Sequence, residues 1–489
     1  MLTDVEQELQ RTSPEQQGVA SSAVLAFIEA LDNQIHDIHG FVLLRHGNVI
    51  AEGWWSPYQP KVPHMLFSVS KSFTSTAVGL AVSEGYFSID DPVISFFPDD
   101  LPSDMSDNLA AMRVRHLLTM STGHDAETIP PMVRRPDLNW VKGFFDAPVV
   151  HEPGTQFLYN TGATYMLSAI VQKTTGMKLT DYLQPRLFEP LGIKSFTWPE
   201  SPQGIIVGGF GLSITTEDIA RFGQLYLQKG QWHGHQLIPE AWIEQATSFQ
   251  ISNGDPATAS DWAQGYGFQF WRCQHNGYRG DGAFGQYCLV LPEQDIVLAI
   301  TSGLGDMQQP LNLVWEILLP AISDEALPED PEAHKALVEK LTSLSLPPVQ
   351  SQVEASESEA SQSSVSGRVY KVDDNPFNIE TLKLDFDNNG CTVTITTPDQ
   401  TEVFPSSDKS WLAGESSLFN EIWVTTPQPV MTSGAWMSAD HFQMVIRLVS
   451  TAYVYTLDLH FSGDDLTITA VVNVSFEPIQ PVTMTAHAQ

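Results

Sequence analysis

Apolar positions along the chain follow two periods, and the change from one to the other divides it. Val24, Phe27, Ile28 and Leu31 recur at helical spacing behind Ser13-Pro14-Glu15-Gln16 and predict an amphipathic helix packed on a sheet. Two strand-like runs, residues 40–45 and 49–55, flank His46-Gly47-Asn48 and predict a hairpin in which His46 is a turn residue. Helical spacing returns at Phe73, Ala77, Leu80 and Ala81 with Gly85 as the stop. It recurs at Tyr165, Met166, Ala169 and Ile170 up to Gly176, and at Ile219, Phe222 and Tyr226 up to Lys229-Gly230. Residues 287–292 and 295–301 predict paired strands, and Leu311, Trp315, Leu318 and Ile322 a closing helix.

From residue 323 onward the character changes. A short helix near 331–345 precedes a serine- and glutamate-rich stretch, 349–359, which has too few apolar side chains for a core and reads as a linker. Beyond it the period is two: Leu382, Leu384 and Phe386 face one way, Asn389-Gly390 turns, and Cys391, Val393 and Ile395 answer. Residues 454–461 and 466–471 flank Ser462-Gly463-Asp464-Asp465 in the same manner. The expected organisation is residues 1–325 as one domain, 326–365 as a helical and Ser/Glu-rich linker, and 366–489 as a small β-barrel or β-sandwich.

A net charge of −34 leaves no basic surface to meet phosphates and argues against nucleic acid as a partner. Three scattered cysteines, Cys273, Cys288 and Cys391, give no disulfide framework and point to a reducing compartment. The first eight residues carry acids where a secretory leader needs positive charge, and no run of 18 apolar residues occurs. The expectation is therefore a cytoplasmic protein that does not span a membrane.

Candidate chemistry lies in three stretches. Ser68 stands at the start of a helix with Lys71 three residues on, so an amine comes up beside a hydroxyl at a positive helix end. A serine is inert near neutral pH until a base takes its proton, and a lysine serves once burial or nearby cations lower its pKa. A second Ser-x-x-Lys, Ser406 to Lys409, has no helical pattern behind it and is a chance occurrence. In Pro153-Gly154-Thr155-Gln156-Phe157-Leu158-Tyr159-Asn160-Thr161-Gly162 the chain turns and then opens a helix capped by Asn160 or Thr161, which holds Tyr159 just ahead of it. A phenol acting as base needs its pKa lowered by about 3 units, or ~4 kcal/mol, and a cationic Lys71 is the candidate source. Gly280, Gly282 and Gly285 have G-x-G-x-x-G spacing, but a strand follows, so a dinucleotide site is excluded and a strand exposing backbone N–H groups is expected instead. Gly208-Gly209 reads as a tight corner or a pocket wall, and the polar corner 121–125 as a cleft lining or a helix cap.

These three stretches, in this order, resemble the superfamily of β-lactamases, penicillin-binding proteins and serine esterases, over roughly residues 12–322. The resemblance is closest to class C β-lactamase-related hydrolases, including family VIII-like esterases. It implies an α+β, β-lactamase/transpeptidase-like fold: an antiparallel sheet with flanking helices plus a helical subdomain, here followed by a small all-β C-terminal domain. It implies Ser68 as the acylated nucleophile, Lys71 as its proton partner and Tyr159 as general base for attack and acid for the leaving group. The oxyanion hole would use the Ser68 N–H and, counting back without gaps from Pro292, that of Gly280.

Two departures stand out. Thr161 occupies the asparagine position of the family's Y-x-N, and Gly277 the basic position of its K-T-G or H-x-G. Arg279 or His275 is the candidate to replace that basic residue, and Thr161, Tyr278 and Arg279 are the expected substrate contacts, with Trp271 and Asp125 as further candidates. The departures favour a small-molecule ester or amide over a β-lactam, with no cofactor and no metal; a homo-oligomer built through the C-terminal domain stays open. The alternatives are a penicillin-recognising β-lactamase or D,D-peptidase and, from another class, a non-catalytic scaffold of the same fold.

Overall fold

A computed structural model describes residues 8–387, 390–419 and 426–489, and the counts below refer to these. The acidic stretch at residues 1–7 and the Asn389 half of the predicted Asn389-Gly390 turn lie outside them. The first structural unit is a sheet of seven strands: β1 (Gln10–Arg11), β2 (Ile38–Arg45), β3 (Asn48–Trp54), β4 (Trp271–Arg272), β5 (Tyr278–Gly282), β6 (Gln286–Leu291) and β7 (Ile296–Ser302), in the order β1-β3-β2-β7-β6-β5-β4. Neighbours are antiparallel except the two-residue β1, which runs parallel to β3 and makes the sheet mixed.

Helices cover both faces. Val42, Leu44, Cys288, Val290 and Val297 enter one core, and Phe41, Leu43, Tyr287, Leu289 and Ile300 enter the other. That is why β2, β6 and β7 are buried from end to end and read as continuous apolar runs. Helix α1 (Ser21–Gln34) covers the second face, joined by the helix Pro331–Ser343 through Leu337.

Helix α2 (Ser70–Ser83) is central. Its sequence predicts one apolar stripe, yet every residue from Ser70 to Ala81 is buried, because the sheet lies on one side and a helical subdomain on the other. Small residues make this tolerable: a methyl group on Gly79 would come within 2.4 Å of the Trp242 ring. The buried hydroxyls find partners, Ser72 Oγ donating to the Gln269 carbonyl and Thr74 Oγ1 to that of Gly208. Helix α3 (Thr161–Thr175) packs beside α2, and α4 (Thr216–Leu227) lies against the sheet.

The C-terminal domain is a single ten-stranded antiparallel sheet from Val369–Val372 to Val482–Ala488 whose two terminal strands, Thr401–Ser406 and Leu412–Ser416, approach each other to form a near-barrel. The stretch read as a linker is not free chain. Val349 N–H donates to Ser433 Oγ and Gln352 N–H to the Trp436 carbonyl, Ala355–Val365 is a helix, and Val365 enters the barrel core. Backbone hydrogen bonds and one or two apolar anchors bind it where composition offered no core. All three cysteines are free and buried. Among the described residues no helix is long and apolar enough to cross a membrane.

The two units meet along the segment leading to Ser68. The Met65 N–H donates to the Ser450 carbonyl at 2.8 Å, and Phe67 and Phe284 share a small apolar core with Ala452, Tyr453 and Val474. Beside them Asp37 is ion-paired with Arg447 and accepts from Asn473 at 2.9 Å.

Candidate active site

Ser68 lies in a 3-10 turn, Phe67–Val69, that runs directly into α2. Phe67 takes a left-handed backbone conformation (φ 46°), an unfavourable state for a residue with a Cβ that turns the chain sharply just before the serine. One turn on, Lys71 is 1% exposed, and its Nζ donates to Ser68 Oγ at 2.9 Å and to the Gly209 carbonyl at 2.7 Å. The Gly208-Gly209 pair is therefore a wall that brings a backbone acceptor to the amine. Gly208 has φ 72°, and a Cβ on Gly209 would sit 2.6 Å from Thr161 Cγ2, so the approach requires glycine. Burial lowers the Lys71 pKa to about 7, with Glu127 and Asp281 opposing it only in part.

Tyr159 is held as the sequence predicts. Asn160 is the N-cap of α3, accepting from the Gly162 N–H at 3.1 Å, and its side chain is itself held by Thr128 Oγ1 at 2.8 Å. The Tyr159 ring stacks on Trp271 with centroids 5.3 Å apart, Lys71 Nζ lies 4.9 Å from its centre, and the Ser68 side chain is among the groups that act on its hydroxyl. The expected lowering of its pKa does not occur. Burial pushes the phenol well above its ordinary value, the nearby Ser68 side chain only partly offsets this, and the neighbouring amine is itself too weakly basic to act as a fixed cation.

Gly280 does not fit the part of second oxyanion donor. It pairs with Cys288 across β5 and β6. On the other side of β5 the Arg272 N–H faces away, to the Gly265 carbonyl, while the Cys273 N–H donates to Gly277. Antiparallel alternation then turns the N–H groups of Tyr278, Gly280 and Gly282 toward β6, leaving those of Asp281 and Ala283 facing outward. This edge runs beside the serine turn: a Cβ on Gly280 would touch Val69, and one on Gly282 the Leu66 carbonyl.

Nor does the structure bring Tyr278, Arg279 or His275 to the site. Tyr278 is buried in the core, and His275 is exposed at the tip of the β4–β5 turn. Arg279 is fully buried, donating to Asp281 at 2.8 Å and to the Asp261 carbonyl at 2.8 Å, with its guanidinium over the Trp262 and Trp271 rings. It braces the tryptophan on which Tyr159 rests and is closed to substrate. Asp125 lines a separate hollow with His124 and Arg135.

A cavity of about 870 Å³ opens over Ser68. Tyr159, Thr161, Trp198 and Phe210 line it from the first unit, and Gln428, Ser450, Thr451 and Phe476 from the C-terminal domain. Among the described lining residues there is no lysine, arginine or histidine, and the one carboxylate is Glu127. Glu127 accepts the N–H groups of Thr161 at 2.7 Å and Ile129 at 3.0 Å. Sequence reasoning stopped two residues short of it, at the polar corner 121–125. The C-terminal lining carried no signal, since those residues sit in loops or at the start of a strand in a domain without a motif.

A family model described as Beta-lactamase matches residues 27–312. The 6-aminohexanoate-dimer hydrolase of Paenarthrobacter ureafaciens is 25% identical over 286 residues, 54% of this chain and 72% of that protein. A β-lactamase of Escherichia coli K12 is 22% identical over 53% of this chain and 81% of its own. Among solved structures, a putative 6-aminohexanoate-dimer hydrolase from Bacillus anthracis superposes with a TM-score of 0.53 at 18% identity, covering 68% of this chain and 88% of that one. The octameric penicillin-binding protein homologue from Pyrococcus abyssi superposes with a TM-score of 0.50 at 15% identity over 95% of this chain and 99% of its own, so that likeness of fold extends into the C-terminal domain. With the family model spanning more than half of the chain, and Ser68, Lys71 and Tyr159 gathered at the junction of sheet and helices, the protein belongs to the β-lactamase family of hydrolases.

Proposed function

We propose that the protein is a serine hydrolase that acts through an acyl-enzyme on small ester or amide substrates. The observation that carries this reading is the 2.9 Å contact between Ser68 Oγ and a buried amine whose pKa is lowered to about 7. At neutral pH and above, an appreciable fraction of Lys71 is the free amine, able to take the Ser68 proton as the hydroxyl attacks the carbonyl. The oxyanion is met by the Ser68 N–H and by one of the outward N–H groups of Asp281 and Ala283, each such donor being worth roughly 3–4 kcal/mol of barrier. Tyr159, kept protonated by burial, gives its proton to the departing oxygen or nitrogen and recovers one from Lys71. Water then enters by the reverse route and releases the acid.

The lining argues about substrate as well. A penicillin or a peptide C-terminus brings a carboxylate, and the described lining of this cavity offers it no lysine, arginine or histidine, only the carboxyl group of Glu127. Uncharged esters and amides fit better than β-lactams. A scaffold that kept the fold would have no use for a lysine buried at the cost of its charge.

Intact-protein mass spectrometry after exposure to a fluorophosphonate and, separately, to a labelled penicillin tests this, with Ser68→Ala as control and free penicillin assayed for hydrolysis. A phosphonate adduct on Ser68 with neither penicillin adduct nor penicillin turnover is expected. Adducts from both reagents would restore the penicillin-recognising reading, and none from either would favour the scaffold.

A further inference from the structure

Phe476 is 73% exposed, the most exposed of the large apolar side chains among the described residues. It lies in the loop between the strands Asp465–Val472 and Val482–Ala488 of the C-terminal domain, yet it lines the cavity that holds Ser68. Its ring centroid is 4.9 Å from that of Phe284 and 6.2 Å from that of Phe67, the residue before the serine. The loop does not need Phe476 as its anchor. Val474, two residues earlier, is buried with Phe67, Phe284, Ala452 and Tyr453 and fastens the loop to the first unit. Phe476 stands on that joint with most of its surface still in water, and that exposed part of the ring adds nothing to the fold. Trp198, Phe210 and Ile129 line the same cavity. Among the described residues, Phe476 is thus the one aromatic ring that the second unit contributes to this apolar lining.

The lining also has a direction. Tyr159, the proton donor to the leaving group in the reading above, rests on Trp271 and Tyr266, whereas Phe476 rests on Phe67 and Phe284. The two rest on separate sets of rings, and a group under Phe476 is accordingly assigned to the acyl part of the substrate. We propose that the C-terminal domain is a specificity element of the active site, and that Phe476 selects substrates whose acyl group ends in an aromatic or similarly bulky apolar moiety without a carboxylate. This rests on the serine-hydrolase reading and adds the acyl class to it.

The test compares kcat/KM for 4-nitrophenyl 4-phenylbutyrate and 4-nitrophenyl acetate in the full-length protein, its Phe476→Ala variant and its Phe476→Leu variant, each normalised to the fraction of Ser68 titrated by a fluorophosphonate. The wild-type protein is expected to favour the phenylbutyrate. Phe476→Ala should lower that preference about tenfold, chiefly through KM, and Phe476→Leu should keep part of it. A preference that does not move, or two esters slowed by the same factor, overturns the proposal while leaving Ser68 as nucleophile. If the wild-type protein forms no phosphonate adduct at Ser68, the hydrolase reading fails and the acyl selectivity falls with it.

Discussion

Lys71 Nζ lies 2.9 Å from Ser68 Oγ in an interior that strips the amine of its water and brings its pKa to about 7. The same burial raises the pKa of Tyr159, so the two groups are driven apart: the lysine toward a free base, the tyrosine toward a permanent acid. That separation assigns the proton-transfer roles more sharply than either residue type alone, and several outcomes follow from it.

The acylation rate should rise with pH through about 7 and level off above it. The neutral amine is the reactive form, and it is lost as pH falls below the Lys71 pKa. Stopped-flow acylation by an activated ester across pH 5–9 reads the midpoint. Lys71→Arg keeps a charge that does not titrate in this range and should remove the inflection together with at least about 10³-fold of the rate.

Tyr159→Phe should affect leaving groups unequally. A nitrophenolate departs without a proton, so acylation by a nitrophenyl ester should slow modestly, while an anilide of the same acyl group, which needs a proton on nitrogen, should slow by a further 10²-fold or so. An equal loss on both would move proton donation to Lys71 or water.

Arg279→Met should cost stability rather than substrate affinity. It leaves the Asp281 carboxyl buried without its guanidinium partner and removes the support beneath Trp271. Breaking a buried pair costs about 3–5 kcal/mol, to be read as a lower urea midpoint. Selective loss of affinity for carboxylate-bearing substrates would return Arg279 to the binding site.

Asp37 at the joint between the two units makes part of the stability depend on acid. Burial works against its carboxylate, but the His39 ring 3.6 Å away and the charge of the ion-paired Arg447 hold its pKa down at about 2. A group whose folded pKa is depressed stabilises the fold above its unfolded value near 4, and that contribution, about 2 kcal/mol, drains away as pH falls from 4 toward 2. Thermal unfolding of wild type and Asp37→Asn should therefore differ at pH 6 and converge near pH 2.

The sequence by itself determined what is local. Helical spacing behind Ser68 put Lys71 one turn away, a capping asparagine set Tyr159 at the start of α3, and period-two alternation marked the C-terminal domain as all-β. Each depends on residues a few positions apart, where backbone geometry leaves little choice. Tertiary structure decided what depends on distance or parity. Which N–H groups of β5 face outward follows from pairing with β6 and β4, so an ungapped count chose Gly280 where the ladder frees Asp281 and Ala283. Arg279 was plausible as a substrate contact by position, yet strand alternation turns it into a cluster of tryptophans. The pKa values of Lys71 and Tyr159 depend on how completely helices and sheet exclude water, which spacing does not encode. Phe476, some 400 residues from Ser68 along the chain, lines the same cavity only because Val474 and Tyr453 bury a common joint with Phe67. Burial and long-range packing are properties of the assembled interior, and the site's electrostatics and walls are written there.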